Sequence, residues 1–452
     1  MTTLVDCEPA MAVRPDRFGR SWAGRQITVV GLGRSGIAAA QLLRRFGCRV
    51  RATDTHASDA LGTARQMLEA LGVEAVELGG HTPELVEGSD AVIVSPGVPE
   101  SALPIRWALA HGVPILSEIE LAFHFCPSPV IAVTGTNGKS STVTLIADVL
   151  RAARHPAVAC GNLGIPFSSV IDQLAPHTVA VVEVSSFQLL WCHRFQPAIA
   201  LLLNIGVNHL DRHQDRQAYV AAKARLFQCQ TPEQWAVLNG QDAQIAALSE
   251  RLHATRVWFG ENRSNPPAFH LSPQTCRALP ESQQAVLQVA RLMGIADPLA
   301  WQVMRGFRGL PHRLEEVGTV RGVRFVNDSK STTPDSLLYA LERTRGQVVV
   351  ILGGRDKGLD FTPLVTPLGE ARVRGIVLIG ESRARLRPLI NGASRVEESG
   401  TLEEAVRAGF AMAEPGTTVL FSPACASFDM FRDFEDRGRH FASIVGRLAE
   451  AA

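Results

Sequence analysis

The chain has 452 residues, about three times a typical ~150-residue domain, so it holds about two or three domains and is not a single small binding module. With 46% hydrophobic and 20% charged residues it can bury several cores, which excludes global disorder. Lys+Arg 45 against Asp+Glu 44 leaves a formal charge of +1, so no bulk field draws the chain to nucleic acid or an anionic membrane, and any bound anion needs a local site.

The eight cysteines are scattered, with no C-x-x-C pair and no zinc-type spacing, and they read as free thiols in a reducing compartment. Asp6, Glu8, Arg14, Asp16, Arg17 and Arg20 put too many charges into the first twenty residues for a signal peptide. The apolar run Ala198 to Leu203 is far short of the roughly 20 residues of a membrane helix. The expectation is a cytoplasmic monomer with a frayed tail over residues 1–20 and neither a nucleic-acid nor a membrane partner.

Short apolar runs alternate with helical patterns along the whole chain, which predicts α/β layers with largely parallel sheets in three successive domains. The first block, 21–117, opens with the strand Gln26 to Val30 and continues through Arg49 to Thr53 and Ala91 to Val94, ending near Pro114 to Glu118. Its first strand runs into Gly31-Leu32-Gly33-Arg34-Ser35-Gly36 and then an Ala/Leu-rich helix, with Asp54 at the end of the next strand. This is the dinucleotide fingerprint in its strand-turn-helix setting: the glycines let a phosphate approach a helix N-terminus, and Asp54 can accept from a ribose hydroxyl. The bland alternative is a tight strand-to-helix turn. Ser95-Pro96-Gly97 follows a later strand of the same sheet.

The second block, 118–309, holds the runs Val130 to Thr134, Val179 to Val184, Ala198 to Ile205 and Ala236 to Leu238, then a helix-like stretch from Gln283 to Met293. Gly260 to Pro280, rich in Pro, Asn, Ser and Gln, reads as a loop or poorly formed edge. After Thr134 comes Gly135-Thr136-Asn137-Gly138-Lys139-Ser140-Ser141, whose successive N–H groups make an anion nest; Lys139 reaches terminal phosphates and Ser140 can hold Mg²⁺. The spacing differs from the general P-loop, which would have glycine at Val133. The next strand ends deliver Glu183, and then Asn204, Asn208 and His209, hard-ligand chemistry suited to magnesium beside a triphosphate. Taken alone, His209 would be read as a hydrogen-bonded structural histidine and Lys223 as an exposed lysine on a helical stretch.

The third block, 310–452, follows Gly309-Leu310-Pro311 and contains Val323 to Val326, Val348 to Leu352, Gly375 to Ile379 and Thr417 to Phe421.

Taken together these segments resemble the Mur ligases of peptidoglycan synthesis, from about Gly24 to the C-terminus. Thr134 to Ser140 is similar to the family's ATP loop. The segments Glu183-Val184-Ser185-Ser186-Phe187-Gln188, Gly309-Leu310-Pro311-His312-Arg313, Asn327-Asp328-Ser329-Lys330 and Ser422-Pro423-Ala424-Cys425-Ala426-Ser427 resemble the D-glutamate-adding branch. The resemblance implies a Rossmann-like UDP-binding domain, a central P-loop ATPase-like domain and a C-terminal Rossmann-like glutamate domain. The implied substrates are ATP, UDP-MurNAc-L-alanine and D-glutamate, joined through an acyl phosphate.

By the same resemblance Lys139 stabilises the transferring phosphoryl group, and Ser140 and Glu183 hold one Mg²⁺. His209 helps to hold a second Mg²⁺, and Lys223 matches a lysine carbamylated by CO₂ into a metal ligand. Arg34, Ser35, Asp54, Thr55, Ser95 and Asn162 match UDP-substrate contacts. Arg313, Asp328 and Lys330 match ATP-side residues, and Thr332, Lys357, Ser427 and Phe434 match the glutamate pocket.

The sequence departs from the family in three places. The adenine-side pattern Gly-x-His-Asn-x-x-Asn is replaced by Ala278-Leu279-Pro280-Glu281-Ser282-Gln283-Gln284, leaving Gln283 or Gln284 as candidate substitutes; Asn208 stands for a frequent aspartate; and Phe428 follows Ser427 where a smaller residue is common. Competing readings are a nicotinamide-dependent oxidoreductase, which leaves Gly135 to Ser140 and Glu183 without a task, a related ligase using L-glutamate, and a degenerate UDP-sugar-binding protein.

Overall fold

A computed structural model describes residues 15–56, 58–206, 215–260, 269–356, 358–390 and 395–450. The chain divides into two compact units, Met1–Phe307 and Arg308–Ala452.

The first unit contains two sheets. One has five parallel strands, β1 (Gln26–Val30), β2 (Arg49–Asp54), β3 (Ala75–Leu78), β4 (Ala91–Val94) and β5 (Ile115–Ser117), in the order β3-β2-β1-β4-β5. The other has six parallel strands, β6 (Val130–Thr134), β7 (Ala157–Gly161), β8 (Val179–Glu183), β9 (Ile199–Leu202), β10 (Trp235–Asn239) and β11 (Thr255–Phe259), in the order β11-β10-β9-β6-β8-β7. The second unit is built on β12 (Glu315–Val320), β13 (Val323–Asn327), β14 (Val348–Gly353), β15 (Val373–Ile379), β16 (Val396–Glu398) and β17 (Thr418–Phe421), ordered β12-β13-β17-β14-β15-β16, with only the β12–β13 pair antiparallel.

Strands covered on both faces are predominantly apolar, and β1, β4, β6, β8, β9 and β14 are buried at every position. In each sheet the chain direction across the sheet reverses at an inner strand, which opens a crevice at the carboxyl ends. In the first sheet that crevice lies between β1 and β4, where the Gly31 turn and Ser95 sit; in the second it lies at β6, flanked by β9 and β8.

The joint between the first two sheets is itself core. The helix Glu118–Phe125, which starts directly after β5, is buried at all eight positions. A helix without a wet face must be packed on all sides. One apolar cluster accordingly runs from Trp22 and Ile27 through Phe123 and Phe167 to Leu238 and Trp258. Polar side chains pin it: Glu118 Oε1 accepts from Ser168 N and Ser168 Oγ, each at 2.6 Å, Glu120 Oε1 accepts from Arg194 N at 2.8 Å, and Arg45 pairs with Asp172. Burial pushes the Glu118 carboxyl up from its ordinary range.

Two expectations need correction. The tail was placed over residues 1–20, but Asp16 is buried: its carboxylate accepts from Phe18 N at 2.9 Å, Arg20 N at 2.8 Å and Trp22 Nε1 at 2.9 Å, and pairs with His124 Nδ1 at 2.7 Å. A charge with four partners can stay buried, so it anchors the segment. The supposed loop Gly260 to Pro280 contains the helix Pro273–Ala278, capped by Ser272 Oγ, with 261–268 outside the described residues. Among the described residues no helix is long and apolar enough to cross a membrane. The described cysteines are free, with Cys229 half-buried and the rest buried.

Candidate active site

The phosphate loop leaves β6 and enters the helix Lys139–Ala152 through Gly138, whose φ of +82° is left-handed and suits glycine. The loop is shaped from β9. Asn204 Oδ1 accepts from Thr136 N at 3.0 Å and Asn137 N at 2.8 Å, and Asn204 Nδ2 donates to Asn137 O at 3.3 Å. Thr136 Oγ1 accepts from Gly206 N at 2.8 Å and pairs with Tyr219 Oη at 3.2 Å. The sequence offers Asn204 as a polar candidate ligand at a strand end; in the structure its side chain instead takes two N–H groups of the loop and fixes the loop's shape.

Beside the loop, β8 brings Glu183 into register with Val133. Ser140 Oγ donates to Glu183 Oε2 in a short contact, while Asn162 donates from Nδ2 to Oε1 at 3.0 Å and from its backbone N to Glu183 O at 2.9 Å. Asn162, a candidate contact for the UDP-substrate, thus also orients the carboxylate. Ser140 and Glu183 form a pair of hard oxygen donors fit for magnesium, which uses few protein ligands. Among the described residues there is no group of three or more His, Cys, Asp or Glu side chains that could cage a metal.

Two lysines converge on one carbonyl. Lys139 Nζ folds back to donate to Gly135 O and Thr136 O, each at 2.8 Å, and Lys223 Nζ donates to Gly135 O at 2.9 Å. Lys223 lies on the helix Arg216–Ala224 and is 1% exposed, with Nζ 4.5 Å from the centroid of the Tyr219 ring. It is not the exposed lysine that its helical setting alone suggests. Burial holds its ammonium well below the ordinary lysine range, Lys139 pushes the same way, and Glu183 opposes both. His209 and Asn208 lie outside the described residues.

In the first sheet the fingerprint turn is braced by residues expected to meet ligand. Asp54 Oδ2 accepts from Leu32 N at 2.7 Å, and its Oδ1 accepts from His56 N at 2.9 Å and pairs with His56 Nδ1 at 2.7 Å. Against the effect of burial, these bonds hold the Asp54 carboxyl below its usual range. Ser95 Oγ donates to Gly31 O at 2.7 Å. Arg34 and Thr55 are exposed and Ser35 is half-buried at the same end of the sheet.

In the second unit Asp328 follows β13 and is buried. Its Oδ2 accepts from Ser422 Oγ at 2.7 Å and its Oδ1 from Leu314 N at 3.2 Å. Burial pushes its carboxyl up to about 6, against those bonds and the charges of Arg313 and Arg437. Lys330 Nζ lies 5.0 Å from the Phe434 ring centroid, and Lys330 N donates to His312 O at 3.1 Å. Thr332 is half-buried, Ser427 Oγ is buried without a hydrogen-bond partner among the described residues, Phe428 is 62% exposed, and Lys357 lies outside the described residues.

Gln284 is engaged elsewhere than at a nucleotide. Its Nε2 donates to Cys276 O and Leu279 O, each at 2.9 Å, and its Oε1 accepts from Gly260 N at 2.9 Å. It ties the helix Glu281–Leu292 to the chain before it, whereas Ser282 faces the phosphate loop: a Cβ placed on Gly138 would lie 3.7 Å from Ser282 Cβ. Of the two candidate substitutes this removes Gln284.

Three αβ sheets in series, with a triphosphate-type loop on the second, match three family models: a Mur ligase MurD-like N-terminal domain over 25–117, a Mur ligase middle domain over 133–285, and a Mur ligase glutamate ligase domain over 312–425. The chain belongs to the Mur ligase family. Within it, the chain is 37% identical to the UDP-N-acetylmuramoylalanine--D-glutamate ligase of Desulfosudis oleivorans, covering 94% of this chain and 97% of that one, and 38% identical to the enzyme of that name from Solibacter usitatus, covering 94% and 98%. The UDP-N-acetylmuramate-alanine ligase structure from Thermotoga maritima shares the fold at a TM-score of 0.58 and 17% identity, covering 94% of this chain and 100% of that chain.

Proposed function

We propose that the protein is an ADP-forming ligase that adds D-glutamate to UDP-N-acetylmuramoyl-L-alanine in cytoplasmic peptidoglycan precursor synthesis. One observation carries the reading: Lys139, the Ser140–Glu183 pair and the buried Lys223 converge on one phosphate loop, in a chain resembling D-glutamate ligases over 94% of its length.

In the proposed reaction the alanine carboxylate of the UDP-substrate takes the γ-phosphoryl group of ATP and ADP leaves. The amine of D-glutamate attacks the acyl carbon, giving a tetrahedral intermediate; it loses phosphate and a proton to leave the amide. Such chemistry is mostly positioning and charge neutralisation. With the Thr136 and Asn137 N–H groups taken by Asn204, the N–H groups at the start of the helix Lys139–Ala152 cradle the phosphates, and Lys139 turns from the Gly135 and Thr136 carbonyls to the transferring group. Ser140 and Glu183 would hold a Mg²⁺, and His209 with Lys223 a second. Bound there, the metal offsets charge on the phosphoryl oxygens.

A carbamate on Lys223 fits its surroundings, because only the unprotonated amine attacks CO₂ and burial favours that form. The neutral amine nitrogen bonds to the carbon of CO₂, one C=O π bond opens onto an oxygen that takes the negative charge, and the nitrogen releases one proton, so a neutral amine becomes an anionic oxygen ligand.

In the same reading the 21–117 domain receives the UDP-substrate through Arg34, Ser35 and Thr55, with Asn162 contributing from the 118–309 domain and Asp54 and Ser95 shaping the turn. The 118–309 domain binds ATP through its phosphate loop. In the 310–452 domain Arg313, Asp328 and Lys330 match ATP-side residues of the family, and glutamate is received through Thr332, Lys357, Ser427 and Phe434. The intact loop disfavours a degenerate binding protein, and the names of the relatives disfavour L-glutamate.

The test is phosphate release with ATP, Mg²⁺ and UDP-MurNAc-L-alanine in the presence of D-glutamate, L-glutamate or no amino acid. Release with amide formation only in the presence of D-glutamate is expected; preference for L-glutamate changes the substrate, and silence with both removes the ligase reading.

A further inference from the structure

Arg437, on the helix Phe434–Glu450, is the largest fully buried side chain among the described residues, at 1% exposure. A guanidinium this deep ordinarily meets a carboxylate. Here it meets loops instead. Nε donates to Ser329 Oγ at 3.0 Å, Nη2 to Ser329 O at 2.7 Å and Nη1 to Cys425 O at 3.0 Å. Gly354, just past β14, packs so closely that an added Cβ would run into the Ala426 carbonyl and lie 3.2 Å from Nη1. Ser329 Oγ in turn donates to Phe434 O at 2.9 Å.

Ser329 lies three residues before Thr332, and Cys425 two before Ser427, so one planar group joins the loops leaving β13 and β17 and lies three residues beyond Phe434 on its own helix. The Ser427 and Ser331 hydroxyls beside these ties are buried without hydrogen-bond partners among the described residues, an arrangement that suits a polar ligand better than an empty core.

We infer that Arg437 is a positioning residue for the amino-acid pocket, fixing Thr332, Ser427 and Phe434 relative to one another by tying Ser329 to Cys425. This rests on the D-glutamate reading above. A lysine cannot replace it, because the ties diverge in a plane and need the fork of a guanidinium.

The experiment uses the full chain with Arg437→Lys and, as a milder variant, Ser329→Ala. KM is measured for D-glutamate and for UDP-MurNAc-L-alanine, and amide hydrogen exchange is followed over 328–333, 422–428 and β14. The expected result is a rise in the D-glutamate KM of about tenfold for Arg437→Lys and about threefold for Ser329→Ala, with the UDP-substrate KM within about twofold of wild type. Exchange quickens in the two loops and is unchanged in β14. A D-glutamate KM within about twofold of wild type in folded Arg437→Lys, or an equal shift of both KM values, overturns the inference. If Arg437→Lys loses protection throughout the second unit, Ser329→Ala decides by the same criteria. If the wild type does not accept D-glutamate, the substrate reading fails by itself, and exchange then decides the tie: unchanged loops overturn it.

Discussion

Lys139 and Lys223 share the Gly135 carbonyl, and two ammonium groups that close repel each other, so the more buried one is the one driven toward neutrality. Replacing Lys223 by Ala is expected to lower turnover by at least about 10²-fold, with partial recovery on adding formate or acetate as a diffusible carboxylate. Steady-state rates with and without the added acid check this, and full activity without it removes the carbamate. Asp328 gives a pH signature of opposite character. Its carboxyl, raised to about 6, keeps its proton at pH values where the unfolded chain has already released it, so raising the pH favours unfolding. The contribution of Asp328 to stability is expected to fall by roughly 3 kcal/mol between about pH 4 and pH 6 and to level off above, read as the difference between wild type and Asp328→Asn in urea titrations across that range. The loop residues from Gly135 to Ser140 were legible because a phosphate cradle needs those types at that spacing. Arg437 and Gln284 were not, since their partners are backbone groups brought close only by the fold.

Among elements, the strands legible in the sequence are the inner ones. β3, β7, β11, β12 and β16 escaped, and each lies at a sheet edge, where one side has no neighbouring strand and the sequence is shorter or more mixed, as in Glu315–Val320 and Val396–Glu398. The helix Glu118–Phe125 misleads in the opposite sense. Glu118, Glu120 and His124 give it the look of a surface linker, but all three are buried with polar partners. Phe167, fully buried in the 3-10 turn Phe167–Gln173 that this helix packs on, tests the joint. Phe167→Ala is expected to cost about 3–5 kcal/mol in denaturant titration and to destabilise the first two sheets together. Separate transitions for the two would show that the core is not shared.

At the scale of the molecule, the three sheets legible in the sequence do not make three independent bodies. Among the described residues the first unit has three apolar clusters, of which the one running from Trp22 to Trp258 spans both of its sheets, and the two clusters of the second unit are built from that unit's residues alone. A fragment of residues 308–452 is expected to fold cooperatively alone, and a fragment of 21–117 to remain unfolded or aggregate, as judged by circular dichroism and thermal melting. A folded 21–117 fragment would contradict the shared core.

Because each unit is one continuous stretch of chain, the polypeptide passes between them once, at Phe307 and Arg308. A stop and a new start codon placed there would divide the protein into two genes without interrupting a strand or a core. The same junction is where a glutamate-handling half could be exchanged for one of another specificity by a single recombination event.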